Sequence, residues 1–352
     1  MIPVNLVTGF LGAGKTTLLR RLLQDPSLAG AAVLINEFGE VGLDHHLIER
    51  IDETTVLLQS GCVCCTIRGE LSAAIRDLFS KREQGLVPAF DRLVIESTGL
   101  ADPFPILSTV RADPVLSHHF TLGNVVTLVD AVNAEGQLAR YPECGRQIAS
   151  ADRLVLSKTD LVSPADSHRL AARLTAMNPA AVLLDAHAPD WTAAFLMVED
   201  AASPAPREAP LDAGHGHADD FADAPHLAAT QDEADHAHSD ADHSHDAVPY
   251  AHHGHDANRH GDSIHAFALT VGEPLDWTSF GIWLTMLLNR HGKSVLRVKA
   301  ILNLVGEDRP VAVHGVQHLV HPPVHMAAWP SEDRSSRLVF IVDGLEESAI
   351  RA

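Results

Sequence analysis

Over the first 190 residues, short apolar runs alternate with longer amphipathic stretches. The runs Val4–Thr8, Ala32–Ile35, Thr55–Leu58, Arg92–Glu96, Val125–Val129 and Arg153–Leu156 are apolar almost throughout, as strands buried on both faces are. The stretches Thr16–Leu23, Glu70–Lys81 and Ala165–Met177 carry apolar residues at helical spacing and predict helices. Strand and helix alternating in this way predict a mostly parallel sheet covered on both faces. Such sheets bind ligands at the carboxyl ends of their strands.

The pattern stops near Ala201. Ala202-Ser203-Pro204-Ala205-Pro206 has linker composition. From His215 to Asp262 the chain is almost only Ala, Asp, His, Gly and Ser. Large apolar side chains are too sparse there to offset chain entropy, so disorder is expected. The pattern resumes at Ile264. Val295–Leu304, Val311–Val320 and Arg337–Val342 predict strands, and Trp277–Asn289 a helix with Asp276 as its N-cap. The expected organisation is an α/β domain over 1–200, a disordered His/Asp-rich linker over 201–263, and a smaller α+β domain over 264–352.

Composition narrows the possible partners. Hydrophobic residues make up 46% of the 352, enough for sizeable cores. The formal net charge is −20, which disfavours nucleic acid and anionic membrane surfaces. The charge is unevenly spread. Residues 215–262 hold eleven acids against one base, Arg259, and eleven of the 23 histidines. Half the net charge therefore belongs to this segment, and the rest of the chain is only ordinarily acidic. The longest apolar runs, such as Ile282–Leu288, fall far short of the roughly 20 residues of a membrane span. Met1-Ile2-Pro3-Val4 enters a strand pattern at once, so no signal peptide is expected. Of four cysteines, three fall within Cys62–Cys65, too close to staple distant segments. They read as reduced thiols in a cytoplasmic protein.

Gly9-Phe10-Leu11-Gly12-Ala13-Gly14-Lys15-Thr16 follows the first strand and opens the first helix. It fits G-x-x-x-x-G-K-[ST], the phosphate-binding P-loop. Its glycines turn backbone amides toward phosphate oxygens. Lys15 supplies a cation to the β- and γ-phosphates, and the Thr16 hydroxyl is a magnesium ligand. A second acid is needed at a neighbouring strand end, and Glu96 in Leu93-Val94-Ile95-Glu96-Ser97-Thr98-Gly99 meets that need. The Gly99 amide is placed to sense a γ-phosphate. Val155-Leu156-Ser157-Lys158-Thr159-Asp160 resembles the guanine-reading N-K-x-D pattern. Asp160 would accept two hydrogen bonds from guanine that adenine cannot offer, and the stem of Lys158 would cover the base. Ser157 replaces the usual Asn and removes one hydrogen-bonding amide.

Gly61-Cys62-Val63-Cys64-Cys65 follows the third strand. In an extended segment Cys62 and Cys64 point the same way and can share one ion, with Cys65 joining if the chain turns. Thiolates favour zinc and similar divalent metals. Three thiols leave a fourth position open to water, carboxylate, imidazole or a partner's side chain, which suits transfer. Buried small side chains and a redox pair are the competing readings. Glu37 follows the second strand, where a switch loop would sit, as a metal- or nucleotide-linked carboxylate, with Glu40 as second choice. His118 and His119 are either ligands or surface residues. Cys144 stands alone and reads as structural. The histidines of 215–260 read either as a metal-collecting reservoir or as a soluble tether.

These motifs, in this order, resemble the CobW family of P-loop GTPases, in particular its zinc-chaperone members. The resemblance extends to Arg297-Val298-Lys299-Ala300 and Gly315-Val316-Gln317-His318, which look like that family's C-terminal module. It implies a P-loop NTPase domain whose GTPase activity delivers a divalent metal, zinc or cobalt, to a client metalloprotein. It implies that Gly9, Gly12, Ala13, Gly14, Lys15, Thr16 and Thr17 hold phosphates and magnesium. It further implies that Glu96 and Gly99 form the switch element, that Lys158 and Asp160 read guanine, and that Cys62, Cys64 and Cys65 form the metal motif. A nucleotide-dependent homodimer is an expectation by analogy alone. Ala300 stands where a Gly is common. With no evident catalytic Gln or Arg finger, slow intrinsic turnover is expected. A P-loop small-molecule kinase and a passive His-rich metal store are the competing classes.

Overall fold

The computed structural model describes residues 1–35, 56–59, 67–188, 192–197 and 263–351. The calls on Glu37, Glu40, Cys62, Cys64, Cys65 and the His-rich segment lie outside the described residues.

In chain order, the N-terminal part comprises β1 (Ile2–Gly9), α1 (Lys15–Leu23), β2 (Ala31–Ile35), β3 (Val56–Gln59), α2 (Ile67–Glu83), β4 (Arg92–Glu96), α3 (Pro103–Ala112) and α4 (Pro114–His119). It continues with β5 (Phe120–Asp130), α5 (Ala134–Arg140), α6 (Pro142–Ser150), β6 (Arg153–Ser157), α7 (Pro164–Met177), β7 (Val182–Asp185) and α8 (Ala193–Met197). The strands form one seven-stranded sheet in the order β3-β2-β4-β1-β5-β6-β7, with every pairing parallel. Alternate strand residues pack on opposite faces. Leu6, Leu34, Leu93 and Ile95 meet Leu71, Ile75 and Leu78 of α2 and Leu107 and Val110 of α3. Val7, Val33, Val94, Val126 and Val155 meet Leu18, Leu19 and Leu22 of α1 and Leu196 of α8. Burial on both faces explains why the strands read as unbroken apolar runs.

The C-terminal part comprises β8 (Ile264–Val271), α9 (Trp277–His291), β9 (Val295–Leu302), β10 (Val311–Val316), β11 (Leu319–Val320), β12 (Val324–His325), β13 (Ser336–Asp343) and α10 (Glu347–Arg351). Its antiparallel sheet runs β11-β10-β9-β13-β8, with β12 on β10. One face is covered by Phe280, Leu284, Leu287 and Leu288 of α9. On the other, Ile264, Leu296 and Ile341 pack with Ile148 of α6 and Leu170 and Leu174 of α7. Both sheets thus belong to one compact unit. No described helix is long and apolar enough to cross a membrane.

A charged cluster fastens the two sheets. Asp152, just before β6, accepts from the Val125 amide (3.0 Å), from Arg297, and from Lys299 at 3.3 Å. Burial works against its charge, but the Arg297 and Lys299 cations outweigh burial and hold its carboxyl well below the usual carboxylate range. Arg297 also donates to the Ser150 carbonyl, and Lys299 to that of Ala180 at 3.0 Å.

The structure corrects the sequence at several elements. The expected strand Val311–Val320 is a hairpin: Val316 pairs with Leu319, and Gln317 takes a left-handed conformation at φ 51. No Gly, Pro or Asn marks the turn, so the apolar alternation reads straight through it. β7, β8 and α3–α6 were not read. Asp102, Asp113 and Ser163 cap α3, α4 and α7 with a Pro at the first helical position, a start signal that was there to be used.

Beside the cluster, His314 and His321 are pushed down to about 3 and about 4, chiefly by burial and then by nearby cations. In the unfolded chain these imidazoles protonate near the ordinary value of about 6.5. Between there and about 4 the unfolded state binds more protons, so stability falls as pH drops through that window. Replacing both by Gln should flatten the acid side of the melting-temperature profile between roughly pH 6.5 and 4. An unchanged acid slope would rule out this role for the pair.

Candidate functional site

The carboxyl ends of β1, β4, β5 and β6 converge on the loop between β1 and α1. Gly9, Gly12 and Gly14 all have positive φ (136°, 74° and 92°), a region where L side chains are strained. Gly14 is the N-cap of α1, so the loop meets the positive dipole end of the helix. Ala13 is buried beneath the loop and Thr17 is exposed on α1. The Lys15 ammonium donates to the carbonyls of Gly9 (2.9 Å) and Phe10 (3.1 Å), which fixes it on the loop.

β4 lies beside β1 with Val7 opposite Glu96, which brings the strand-end acid to the P-loop. The Thr16 hydroxyl donates to Glu96 Oε1 at 2.7 Å, and Glu96 is 5% exposed. A hydroxyl and a carboxylate side by side are the hard oxygen donors magnesium takes, so the donor set fits that ion. Past Glu96, Ser97 bonds Thr8 across the two strands at 2.8 Å. Gly99 is buried, and a Cβ there would stand 2.5 Å from the Leu11 amide nitrogen. Only glycine lets this loop approach the P-loop so closely.

At the end of β6, Lys158 is left-handed at φ 60, unusual for a side chain of its size. Its ammonium meets Asp130 at 2.6 Å, which anchors the conformation. Asp160 is exposed, with the His187 imidazole 3.1 Å away. The Asp185 carboxylate accepts from the Thr159 hydroxyl (2.9 Å) and the His187 amide (2.8 Å), tying the β6 and β7 loops together. The Ser157 hydroxyl donates to the Ala13 carbonyl at 2.7 Å. The sequence reading treated Ser157 as a lost hydrogen bond. In the structure it supplies one, between the end of β6 and the P-loop.

The structure therefore gathers Gly9–Thr16, Glu96, Gly99, Lys158 and Asp160 on one edge of the sheet. Sequence reasoning missed Asp130 and Gln147. Asp130 is 1% exposed. Burial raises its pKa, but bonds from Lys158, Asn133 and the Val132 amide hold it below the ordinary value, so it stays ionised under Lys158. Gln147 lies behind the Gly99 loop. His119 lies tilted against Phe79 (4.4 Å) and meets His118 edge-on (4.8 Å). Cys144 is buried in the apolar cluster with Ile148 and Leu154. Burial pushes its thiol up to about 12, as a structural cysteine requires.

A family model described as the CobW/HypB/UreG nucleotide-binding domain matches residues 3–185, and one for the C-terminal domain of the cobalamin synthesis protein CobW matches 264–352. The chain is 33% identical to the zinc chaperone YjiA of Escherichia coli (strain K12), over 100% of this chain and 97% of that one. It is 40% identical to zinc-regulated GTPase metalloprotein activator 1 of Schizosaccharomyces pombe, over 46% of this chain and 40% of that protein. Among solved structures it resembles Zn(II)-bound YjiA GTPase from E. coli, with TM-score 0.66 and 28% identity. That match covers 99% of this chain and 96% of the other.

Removing the Ser157 hydroxyl should loosen the P-loop against the end of β6. Ser157→Ala is expected to weaken GDP and GTP-analogue binding alike, by roughly fivefold, about 1 kcal/mol. Ser157→Asn should bind at least as well as the natural protein. Calorimetric titration reads both, and unaltered affinity in the Ala variant would remove the Ser157–Ala13 bond from the site's energetics.

Proposed function

The chain belongs to the CobW family, and from that premise we propose that it hydrolyses GTP to control delivery of a divalent metal, zinc first and cobalt second, to a client metalloprotein. Residues 1–200 would be the GTPase domain, 264–352 the family's C-terminal domain, and 201–263 a metal-collecting arm. The setting would be the cytoplasm, where thiols stay reduced. Neither nucleic acid nor membrane is a partner in this reading.

One observation carries the reading: the register of neighbouring strand ends. Glu96 pairs laterally with Ile35, and Ile35 with Gln59. Parallel neighbours are about 4.8 Å apart, so β2 and β3 both finish within roughly 10 Å of the strand-end acid. Glu37 follows Ile35 by two residues and Cys62 follows Gln59 by three. Three residues of chain reach at most about 10 Å. In this reading the loops after β2 and β3 would carry Glu37 and the thiol motif to the edge of the sheet that holds Glu96.

The roles follow. Lys15 and the amides of Gly12–Thr17 bind the phosphates. Thr16 and Glu96 would hold magnesium, which would supply positive charge to the phosphates. Gly99 donates its amide to the γ-phosphate and so registers its presence. Asp160 accepts from guanine N1–H and the 2-amino group, and Lys158, propped by Asp130, lies along the base. Water attacks the γ-phosphorus, releasing phosphate and leaving GDP. Cys62, Cys64 and Cys65, with Glu37 as a further carboxylate, carry the metal cargo. GTP binding would tighten that site, and hydrolysis would relax it.

The linkage is reciprocal, so zinc should bind more tightly with a non-hydrolysable GTP analogue than with GDP, by about tenfold, or 1.4 kcal/mol. A competition titration of zinc and cobalt in both nucleotide states measures it, and equal affinities would reject the coupled mechanism. Deleting 215–260 should lower zinc stoichiometry and spare the GTPase rate; unchanged stoichiometry would make the arm a tether only. Asp160→Asn presents an amide where guanine offers only donors. It should lose guanine affinity by roughly tenfold or more and gain affinity for xanthosine nucleotides, whose 2-carbonyl accepts. Retained guanine preference, or preference for ATP in the natural protein, would favour the small-molecule kinase.

A further inference from the structure

Helix α6 touches the switch loop on one side and the C-terminal sheet on the other. Toward the switch loop, Gln147 is 1% exposed. Its side-chain amide donates to the carbonyls of Gly99 at 3.1 Å and Ala101 at 3.0 Å. Both partners are carbonyls, so the nitrogen end of the amide must face them. Gln147's own carbonyl accepts from the Thr127 hydroxyl of β5 at 2.9 Å. The adjacent Arg146 reaches Asp102 at 3.8 Å, and Asp102 caps α3 through the Phe104 amide. The backbone from Gly99 to Asp102 is thus held by two consecutive residues of α6, while Gly99 abuts Leu11 of the P-loop.

Toward the C-terminal sheet, a Cβ on Gly145 would strike Ile264 of β8 at 2.5 Å. Ile148 packs with Leu296 and Ile341. The Ser150 carbonyl accepts from Arg297, which also grips Asp152 two residues on. Asn178 donates to the carbonyls of Ile148 (2.8 Å), Ala149 (3.3 Å) and Ala151 (3.0 Å), which stiffens the same end of the helix. Six residues of chain therefore link the γ-phosphate-sensing loop to the charged clasp of the C-terminal sheet.

We propose that Gln147 is a positioning residue that couples the C-terminal sheet to the GTP state of the nucleotide site, holding the Gly99 amide where it meets the γ-phosphate. The inference rests on the GTPase reading above and adds the path by which the C-terminal domain sets the switch. A rigid α6 fixes the carbonyls of Gly99 and Ala101, and therefore the peptide planes on either side of them. Whatever shifts Arg297 shifts the Ser150 end of the helix, and Gln147 moves with it. GDP has no γ-phosphate, so its binding does not draw on this contact.

The test uses the full chain. Gln147→Met keeps length and removes both donors, and Gln147→Glu keeps shape and sets a carboxylate against two carbonyls. Affinities for GDP and for a β,γ-imido GTP analogue are measured together with kcat and KM. Both variants should lower the melting temperature, because two buried carbonyls lose their donor, but below that temperature should keep GDP affinity and lose about tenfold in analogue affinity and in kcat. Arg297→Lys keeps a cation on Asp152 and gives up the fixed fork to Ser150. It should lower kcat severalfold in the natural background and have no further effect in Gln147→Met, because coupled sites are not additive. An unchanged ratio of analogue to GDP affinity in both Gln147 variants would overturn the positioning role. Multiplicative effects of Arg297→Lys and Gln147→Met would overturn the relay. A natural protein that binds the analogue and GDP but hydrolyses no GTP would instead sink the GTPase reading and the inference with it.

Discussion

The whole arrangement depends on how one carboxylate is neutralised. Asp152 sits where the parallel sheet meets the antiparallel one, and taking its charge out of water costs several kcal/mol unless partners replace the lost hydration. They come from two directions: the Val125 amide from its own sheet, and Arg297 and Lys299 from the other. Arg297 and Lys299 are two residues apart on β9 and so share one face. The intervening Val298, with Ala300 and Leu302, faces the core under α9. One strand thus serves a dry core on one side and a charged clasp on the other. Without the clasp the parallel sheet would carry a buried unpaired acid, and the antiparallel sheet two buried unpaired cations. Neither sheet is therefore self-sufficient at this surface, and the two form one unit.

The nucleotide edge follows from strand order in the same way. β1 lies between β4 and β5, so the P-loop has an acid-bearing strand end on each side: Glu96 against Thr16, and Asp130 under Lys158. The two acids differ in what they meet. Glu96 accepts from the neutral hydroxyl of Thr16. Asp130 takes the Lys158 ammonium and so fixes a lysine in the left-handed conformation. The Ser157–Ala13 bond then joins the end of β6 to the P-loop.

How much of this was legible in the sequence depended on whether a residue's role is written in its neighbours. Glycines with a lysine and threonine after a strand, or an acid ending an apolar run, announce their chemistry by context, and the structure sets Gly9–Thr16, Glu96, Lys158 and Asp160 on one edge of the sheet. Asp130 also ends an apolar strand and could have been read by the same rule. Gln147 could not. A glutamine within a helical stretch is ordinarily a surface residue, and its value lies in two carbonyls nearly fifty residues earlier in the chain. Arg297 and Lys299 were noticed only as part of a family pattern. Their alternation with Val298 and Ala300 would read as a strand with one wet face, and only the position of Asp152 makes that face dry. β7 escaped because a four-residue edge strand carries little pattern.

The histidines make the same point about composition. Eleven of the 23 lie in residues 215–262. Histidines among the described residues are put to other uses. His119 lies against Phe79 and His318 meets Phe104 edge-on, His187 leans on Asp160, and His314 and His321 are kept neutral beside cations by burial. An imidazole held near Arg297 and Lys299 has lost its freedom to take up a proton near neutrality. Acid therefore bears on the contact between the two sheets: the unfolded chain takes up protons at these two imidazoles before the folded one does, and the folded state loses ground as pH falls.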